Sequence, residues 1–347
     1  MTRKYYLDIA RVVATITVVL FHVNAQVNLD GGNFGADFYF TNFVMLIETW
    51  AVPVFIMISG VLFLDPNRDV KIKSHIIKIA LILLFWGGII YNVIVTTIIN
   101  KSFSPSYILI GIYNVLIGKM EYAYQFWYLY IIIGLYSITP VLRAFVKTAP
   151  KKQLQAFIAV AFIVFTVLPV ICENFSFTDY EIFTKTFCFF GGYSGYYMLG
   201  YYLDTYKICK KRFLALSVAT VISILIAYIF KIEIFGFVLS EITYSYSSPY
   251  TVLVSAFVFC AFQLLSSKNF SQKFLKLLLF LSKHSLGIYI LHVMIITGLS
   301  KMFGLTPGFA GLPAFVTVPL LVILVFSLSL LGSVTISKIP IVKKFIY

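Results

Sequence analysis

Residues 5–27 read YYLDIARVVATITVVLFHVNAQV, an apolar run of membrane-spanning length that carries Asp8, Arg11 and His22. A transmembrane helix needs about 20 predominantly apolar residues. Asp8 and Arg11 interrupt the run and no clear cleavage site follows it, which disfavours a cleaved signal peptide. Ionisable side chains are costly inside a membrane helix and usually mark a cavity or a site. The stretch therefore predicts a retained first helix with a polar face.

The apolar pattern of this first stretch recurs along the whole chain. We predict ten spans, at 5–27, 43–64, 76–99, 124–146, 154–172, 183–203, 213–232, 248–266, 277–298 and 313–337. The composition agrees, because 61% of the 347 residues are hydrophobic, 12% are charged and the mean hydropathy is +0.95. Soluble domains are about a quarter charged. The sequence predicts an all-α polytopic membrane protein with about ten transmembrane helices, drawn as a single domain over residues 1–347.

The basic residues distinguish the two sides of the predicted bundle. Of the 27 Lys and Arg residues, 21 lie on one side of the ten spans and five on the other. Cytoplasmic loops carry an excess of Lys and Arg, so we place both termini in the cytoplasm. The net charge of +14 then reports orientation in a lipid bilayer and requires no nucleic-acid partner.

A polar stripe runs along the first predicted helix. At about 100° and 1.5 Å per residue, Asp8, Arg11, Thr15 and His22 fall within an arc of about 60°, and Arg11 lies about 17 Å from His22. Arg11 falls in the cytoplasmic third of the membrane and His22 in the outer third. Two interpretations stay open. Either the two residues line a reaction path, or Arg11 snorkels to the inner headgroups while His22 belongs to a buried hydrogen-bond network.

Histidine is the member of this stripe that suits acyl transfer. Near neutral pH an imidazole takes the proton of an attacking hydroxyl, or carries the acyl group itself, and then returns a proton to the leaving group. The sequence holds no GxSxG, HExxH or GxxxxGK[ST] motif and no His and acid pair at metal-ligand spacing. We predict His22 as the catalytic residue, with no metal and no tightly bound cofactor.

Glu48 and His292 are further ionisable candidates within predicted spans. Glu48 enters the second span at about the depth of His22, where it orients the imidazole or simply sits at the outer interface. His292 lies mid-membrane on the ninth span, where it lines a cavity or is a satisfied core histidine. Intramembrane ionisable residues are candidates for a functional site by default. We therefore group Glu48 and His292 with Asp8 as candidates for orienting or supporting the site.

Several stretches together resemble the membrane-bound acyltransferase 3 family. They are the segment from Asp8 to His22, AVPVFIMISG at 51–60, LDPNR at 64–68, FWYLYIIIGLYSITP at 126–140, FGGYSGYYMLGYY at 190–202 and SLGIYILH at 285–292. They follow one another in the order of the family's own signatures and cover essentially the whole chain. Some relatives append a soluble esterase-like domain, and since the sequence ends at Tyr347 we expect the chemistry to be completed within the membrane domain.

The resemblance implies an O-acyltransferase of the bacterial inner membrane. Its donor would be an acyl-CoA, usually acetyl-CoA, acting as co-substrate. Its acceptor would be a hydroxyl of a cell-surface polysaccharide, a lipid-linked saccharide or a related envelope molecule. Arg11 matches the family's arginine, which implies a role in holding the donor, and His22 matches its histidine, which implies a catalytic base or acyl carrier.

The donor site departs from the family pattern. Many relatives have arginines where the third helix begins, whereas this chain has Lys73 and Lys78 there, with Arg68 on the preceding loop. Lysine lacks the planar fork of arginine, so it contacts a phosphate as a point charge. We expect Arg68, Lys73 and Lys78 to bind the CoA phosphates, although ordinary cytoplasmic anchoring explains the same residues.

A second class of function is an exporter or flippase for an envelope saccharide. Ten spans and an expected central cavity favour it. A single stripe with one Arg and one His provides few ionisable groups for coupling transport to an ion gradient. No pair of interrupted predicted helices indicates inverted repeats. The sequence therefore favours the enzyme.

Overall fold

The computed structural model describes residues 3–27, 35–119, 123–167, 180–231, 246, 248–265 and 270–346. All regular secondary structure in these ranges is helical. Seven helical segments are long and apolar enough to cross a membrane: Tyr5–Asn24, Ala36–Phe63, Ile72–Asn100, Tyr124–Thr148, Lys210–Ile229, Gln272–Phe303 and Ala314–Ser337. An all-helical polytopic membrane protein is therefore confirmed, whereas the number of ten spans and the cytoplasmic termini stay predictions.

We number the α-helices of the described residues in chain order. They are α1 (Tyr5–Asn24), α2 (Ala36–Glu48), α3 (Ala51–Phe63), α4 (Ile72–Ile82), α5 (Asn92–Asn100), α6 (Ser106–Leu116), α7 (Trp127–Thr148), α8 (Lys151–Phe162), α9 (Tyr180–Thr205), α10 (Lys210–Lys231), α11 (Pro249–Leu264), α12 (Gln272–Phe303), α13 (Ala314–Ser337) and α14 (Pro340–Lys343). π-Helical segments cover Leu83–Tyr91, between α4 and α5, and Ile163–Val167, after α8. Short 3₁₀ turns cover Tyr124–Phe126 and Phe309–Gly311.

Some predicted spans differ in length from the helices that contain them. Helix α8 and the π-helical segment after it cover the span predicted at 154–172 as far as Val167. The last residues of that predicted span lie outside the described residues. Helix α9 contains the span at 183–203, and α11, with 16 residues, is shorter than the span at 248–266. The sequence did not predict α6, because its 11 residues fall short of a membrane crossing.

The second predicted span, 43–64, forms two helices that meet at Thr49 and Trp50. Pro53 lies in the first turn of α3, where a missing backbone N–H leaves no helical hydrogen bond unmade. The Thr49 hydroxyl donates to the carbonyl of Leu46, in the last turn of α2, at 3.1 Å. The proline therefore favours a new helix start at this point.

The residues group into two compact units whose segments alternate along the chain. The first unit contains Met1–Ala14, Met45–Val70 and Gly134–Gln272, and the second contains Thr15–Val44, Lys71–Ile133 and Lys273–Tyr347. Helices α1, α2 and α7 contribute residues to both units, as does α12 through its first residue, Gln272. The prediction of a single domain over the whole chain stays a prediction.

Within the first unit, α3 packs very closely against α9. A Cβ atom at Gly60 would overlap the carbonyl oxygen of Tyr197, and one at Gly200 would overlap the backbone of Met57. Small residues of this kind let two membrane helices approach each other. The hydroxyls of Thr139 and Tyr197 share a hydrogen bond of 2.9 Å, which ties α7 to α9.

Within the second unit, α12 contributes to two apolar clusters. One cluster contains Ile82, Leu83, Trp86, Tyr91, Val95, Val115, Ala123, Phe126, Leu129, Ile290, Leu291, Val293 and Ile346. The other contains Val19, Val23, Ile288, Ile296, Ala314, Val318, Leu321 and Val325. Burying apolar area of this kind contributes about 25 cal/mol per Å². The two clusters hold α1 and the π-helical segment against α12.

Candidate active site

His22 of α1 and His292 of α12 lie side by side in the second unit. Their ring centroids are 5.0 Å apart and their planes are inclined at 41°. His292 is fully buried and His22 is 9% exposed. Val19 and Val23, on either side of His22 in the chain, belong to the apolar cluster that α1 shares with α12. The structure therefore places side by side two residues that the sequence predicts independently as candidates for the site.

The hydrogen bonding of His292 fixes which ring nitrogen carries the proton. Nδ1 lies 2.7 Å from the carbonyl oxygen of Tyr289, one turn earlier on α12. A carbonyl oxygen only accepts, so Nδ1–H is the donor and a neutral ring keeps its lone pair on Nε2. That Nε2 is buried and has no hydrogen-bond partner among the described residues. A buried lone pair without a partner is rare in a native core and needs an explanation.

A short 3₁₀ turn closes this site beside the histidines. Tyr124 in that turn has its ring centroid 5.3 Å from that of His22, edge to face. The Tyr289 hydroxyl donates to the backbone carbonyl of Gln125, the next residue of the turn, whose side chain is also buried. These contacts tie the turn to the stretch of α12 that carries His292. The histidine pair thus has the Tyr124 ring against His22 and a hydrogen bond that fixes the turn to α12.

Asp8 and Arg11 come together at the other end of α1, in the first unit. Asp8 is 4% exposed and accepts two hydrogen bonds from Arg3, at 2.8 and 2.9 Å. Arg11 approaches the same carboxylate at 3.5 Å, and 30% of its side chain is exposed. The hydrogen bond to Asp8 raises the pKa of the Arg3 guanidinium. Asp8 therefore binds two cations, and its predicted role in supporting the site stays a prediction.

Glu48 ends α2 and belongs to the first unit. Its side chain is 2% exposed, and it interacts electrostatically with the hydroxyls of Tyr246 and Tyr250. His22 belongs to the second unit. The proposed pairing of Glu48 with His22 stays a prediction.

Arg68 lies on a loop that another arginine organises. The guanidinium of Arg143 donates to three backbone carbonyls, those of Phe63 at 2.8 Å, Pro66 at 3.3 Å and Arg68 at 2.6 Å. These carbonyls follow the end of α3, where helical carbonyls lack partners within the helix. The side chain of Arg68 is half-buried and donates to the carbonyl of Leu62 at 3.4 Å. Arg143 is therefore a structural residue of this loop, which the sequence analysis counted only as a cytoplasmic charge.

Lys73 and Lys78 lie on α4 in the second unit. Lys73 is exposed and lines an open hollow of about 450 Å³ together with Lys71, Ile72, Ser74 and Ile77. Lys78 is half-buried on the same helix. The hollow offers two ammonium groups at the start of a helix, an arrangement that favours anions.

Tyr124, Tyr289 and Tyr91 belong to the surroundings of the histidine pair, and sequence reasoning missed all three. Tyr289 precedes His292 by three residues, which places both on one helix face. That spacing is the feature of the sequence from which Tyr289 could have been predicted as a neighbour of His292. Tyr91 and Tyr124 carried no comparable signal, because the chain contains 24 tyrosines and their contacts depend on tertiary packing.

The fold and the site define a class of protein. It is a polytopic helical membrane protein that holds two adjacent histidines, from different helices, inside its helical core. Among the described residues, no group of three or more His, Cys, Asp and Glu side chains is placed to hold a metal ion. The chemistry available at this site is that of imidazole acid–base or nucleophilic catalysis.

Comparison with family models identifies the family. The acyltransferase 3 model, which describes an acyltransferase domain, matches residues 4–338, nearly the whole chain. The protein therefore belongs to the acyltransferase 3 family and is a membrane acyltransferase, which confirms the resemblance seen in the sequence. Searches of curated proteins and of solved structures found no match. The exporter alternative gains no support from these findings.

Proposed function

We propose that the protein transfers an acyl group, acetyl in the first instance, from a cytoplasmic acyl-CoA to an envelope hydroxyl. The acceptor is a cell-surface polysaccharide or a lipid-linked saccharide, and the membrane is the bacterial inner membrane. Family membership supports acyl transfer. The buried pair of His22 and His292 supports a histidine-based reaction centre and carries the proposal.

His22 acts as the general base in this proposal. Its imidazole removes the proton of the acceptor hydroxyl while the hydroxyl oxygen attacks the thioester carbonyl carbon. The tetrahedral intermediate collapses, the carbon–sulfur bond breaks, and the CoA thiolate leaves. The imidazolium returns its proton to that thiolate, so the products are the ester and CoA. If His22 instead attacks the thioester first, the same residue carries the acyl group to the acceptor.

The two adjacent rings suit the transfer of a single proton. Two imidazolium ions with centroids 5.0 Å apart in a buried site would repel each other strongly. The pair therefore takes up at most one extra proton at a time, and its titration belongs to both residues together. His292, with a lone pair on Nε2, shares the proton that His22 removes.

The cationic groups nearer the predicted cytoplasmic side are the candidates for binding the donor, and each unit offers one of its own. Arg11 keeps part of its guanidinium exposed beside Asp8, and Lys73 lines the hollow at the start of α4. Both offer charge-assisted hydrogen bonds to phosphate oxygens. Arg68 of the first unit and Lys78 of the second unit are secondary candidates, because both are half-buried.

Label transfer in native membranes tests the proposal. Membranes containing wild-type protein, His22→Gln or His284→Gln are given labelled acetyl-CoA at matched expression, and label in envelope glycan and lipid is measured. His284 is the control, because it is also buried but its Nδ1 is bonded to the Ser333 hydroxyl at 2.9 Å. We expect label with wild type and His284→Gln and none with His22→Gln. Equal labelling by His22→Gln would refute the role of His22.

A further inference from the structure

The hydroxyl of Tyr91 occupies an unusual position in the backbone of α12. It donates to the carbonyl of Ile290 at 2.5 Å and accepts from the amide of Met294 at 3.0 Å. In a regular helix, the carbonyl of residue 290 and the amide of residue 294 bond to each other. Tyr91 is fully buried, so water does not compete for these groups. Its hydroxyl therefore spans the helical turn that carries His292.

A π-helical segment delivers Tyr91 to this position. The segment Leu83–Tyr91 has nine residues and ends at the tyrosine itself. π-Helical geometry is rare and is found frequently at functional sites. The indole of Trp86 donates to the carbonyl of Phe345 at 3.2 Å, and a Cβ at Gly111 of α6 would overlap the carbonyl oxygen of Gly88. The segment is therefore anchored on two sides ahead of Tyr91.

A second hydrogen bond connects the same turn of α12 to a neighbouring element. Tyr289 donates through its hydroxyl to the backbone of Gln125, while its carbonyl accepts from Nδ1–H of His292. The Ile290 carbonyl and the Met294 amide are thus engaged by Tyr91, the Tyr289 carbonyl is engaged by His292 itself, and the Tyr289 side chain ties the turn to Gln125. Helix turns into which a side chain inserts are distorted locally. Here the inserted hydroxyl is that of Tyr91, and the turn carries the residue whose Nε2 lacks a partner among the described residues.

We infer that Tyr91 is a positioning residue, which holds this turn of α12 so that His292 keeps its proton on Nδ1 and its lone pair on Nε2. The inference rests on the proposed function of the histidine pair as the reaction centre. Tyr91 touches no reacting atom in this scheme and acts through the backbone of residues 290 and 294. Tyr91→Phe removes both contacts of the hydroxyl and leaves the ring in place, so it retains the fold while the turn and the histidine ring shift.

Nitrogen-15 NMR of the histidine rings measures the proton position directly. The chain has only four histidines, so His→Gln variants assign each signal. In the wild-type protein we expect His292 to show a protonated Nδ1 and an unprotonated Nε2. In Tyr91→Phe we expect a mixture of the two tautomers. Tyr130→Phe is the matched control, because its hydroxyl also donates to a backbone carbonyl, that of Val115 at 2.6 Å, on a helix without a histidine.

Steady-state acyl transfer completes the test. We expect kcat of Tyr91→Phe to fall about tenfold, as for a displaced catalytic group, with KM unchanged and Tyr130→Phe at the wild-type rate. Unchanged His292 signals in Tyr91→Phe overturn the inference, and so does a changed tautomer with wild-type kcat. If the wild-type protein transfers no acyl group, the proposed function fails while the NMR comparison still decides the role of Tyr91.

Discussion

The two polar clusters that involve α1 differ in how their charges and hydrogen bonds are satisfied. Near its start, the Asp8 carboxylate accepts two hydrogen bonds from Arg3 and forms an ion pair with Arg11. Near its end, His22 faces His292, whose buried Nε2 has no hydrogen-bond partner among the described residues. The first cluster offsets buried charge with opposite charge. The second keeps a lone pair available.

This contrast separates residues that stabilise from residues that react. Buried polar atoms in a folded protein are nearly always hydrogen-bonded, because leaving one unpaired costs about 1–3 kcal/mol. A protein keeps such an atom when its reactivity has a use. The contrast therefore favours the proposed chemistry at the histidine pair and a structural role for Asp8.

The largest expected effect is at His22. Replacing it by Gln removes the proposed base and should lower the rate of acyl transfer by about 10²–10⁴-fold. The protein should still reach the membrane folded, since glutamine fills a similar volume. Measuring transfer at saturating donor checks this, with expression quantified on the same samples. A rate within twofold of wild type would remove His22 from the reaction.

His292→Gln should have a smaller but still large effect. We expect a loss of about 10²-fold, at the low end for an acid–base group, because His22 remains. His284→Gln, the same substitution at a buried histidine of α12 that is bonded to Ser333, serves as the control. Equal losses in both variants would show that helix packing, rather than chemistry, underlies the effect.

Arg143→Met tests a charge whose role is structural. The variant loses three hydrogen bonds from a guanidinium to backbone carbonyls. We expect the free energy of unfolding to fall by about 2–3 kcal/mol. Thermal unfolding in detergent measures the change. Lys147→Met, an exposed position one turn later on α7, should unfold like wild type, and equal melting of the two variants would contradict the structural role.

Asp8→Asn should have the smallest effect of the four. The amide still accepts hydrogen bonds, but the two arginines lose the opposite charge, and Arg3 is largely exposed and regains water. We expect a loss of about 1–2 kcal/mol in the free energy of unfolding. KM for the donor should rise because Arg11 is less well oriented. Asp69→Asn is an exposed control, and a larger effect there would count against the Asp8 cluster.

The sequence predicted the fold class because lipid demands long apolar runs, which are visible without any structure. It did not predict the interruption between α2 and α3, which depends on one proline within an apolar run, Pro53. It also missed the π-helical segment Leu83–Tyr91, because that geometry adds no distinct pattern to an apolar stretch. Local sequence therefore predicted where helices occur better than how each helix is shaped.

For the site, the sequence predicted residue types but not neighbours. His22 stood out because an ionisable residue in a membrane helix is costly, and His292 for the same reason. Their contact joins residues 270 positions apart in the chain, so it depends on packing among α1, α12 and α13. Tyr91 is one tyrosine among 24, and only its contact with the backbone of α12 reveals its position.

A double-variant measurement tests most directly whether the histidine pair is the reaction centre. Acyl transfer from labelled acetyl-CoA is compared for wild type, His22→Gln, His292→Gln and the double variant. Residues that act as one unit lose rate non-additively. We predict that the double variant is no slower than His22→Gln alone. Losses that multiply, or substantial transfer by the double variant, would contradict the account.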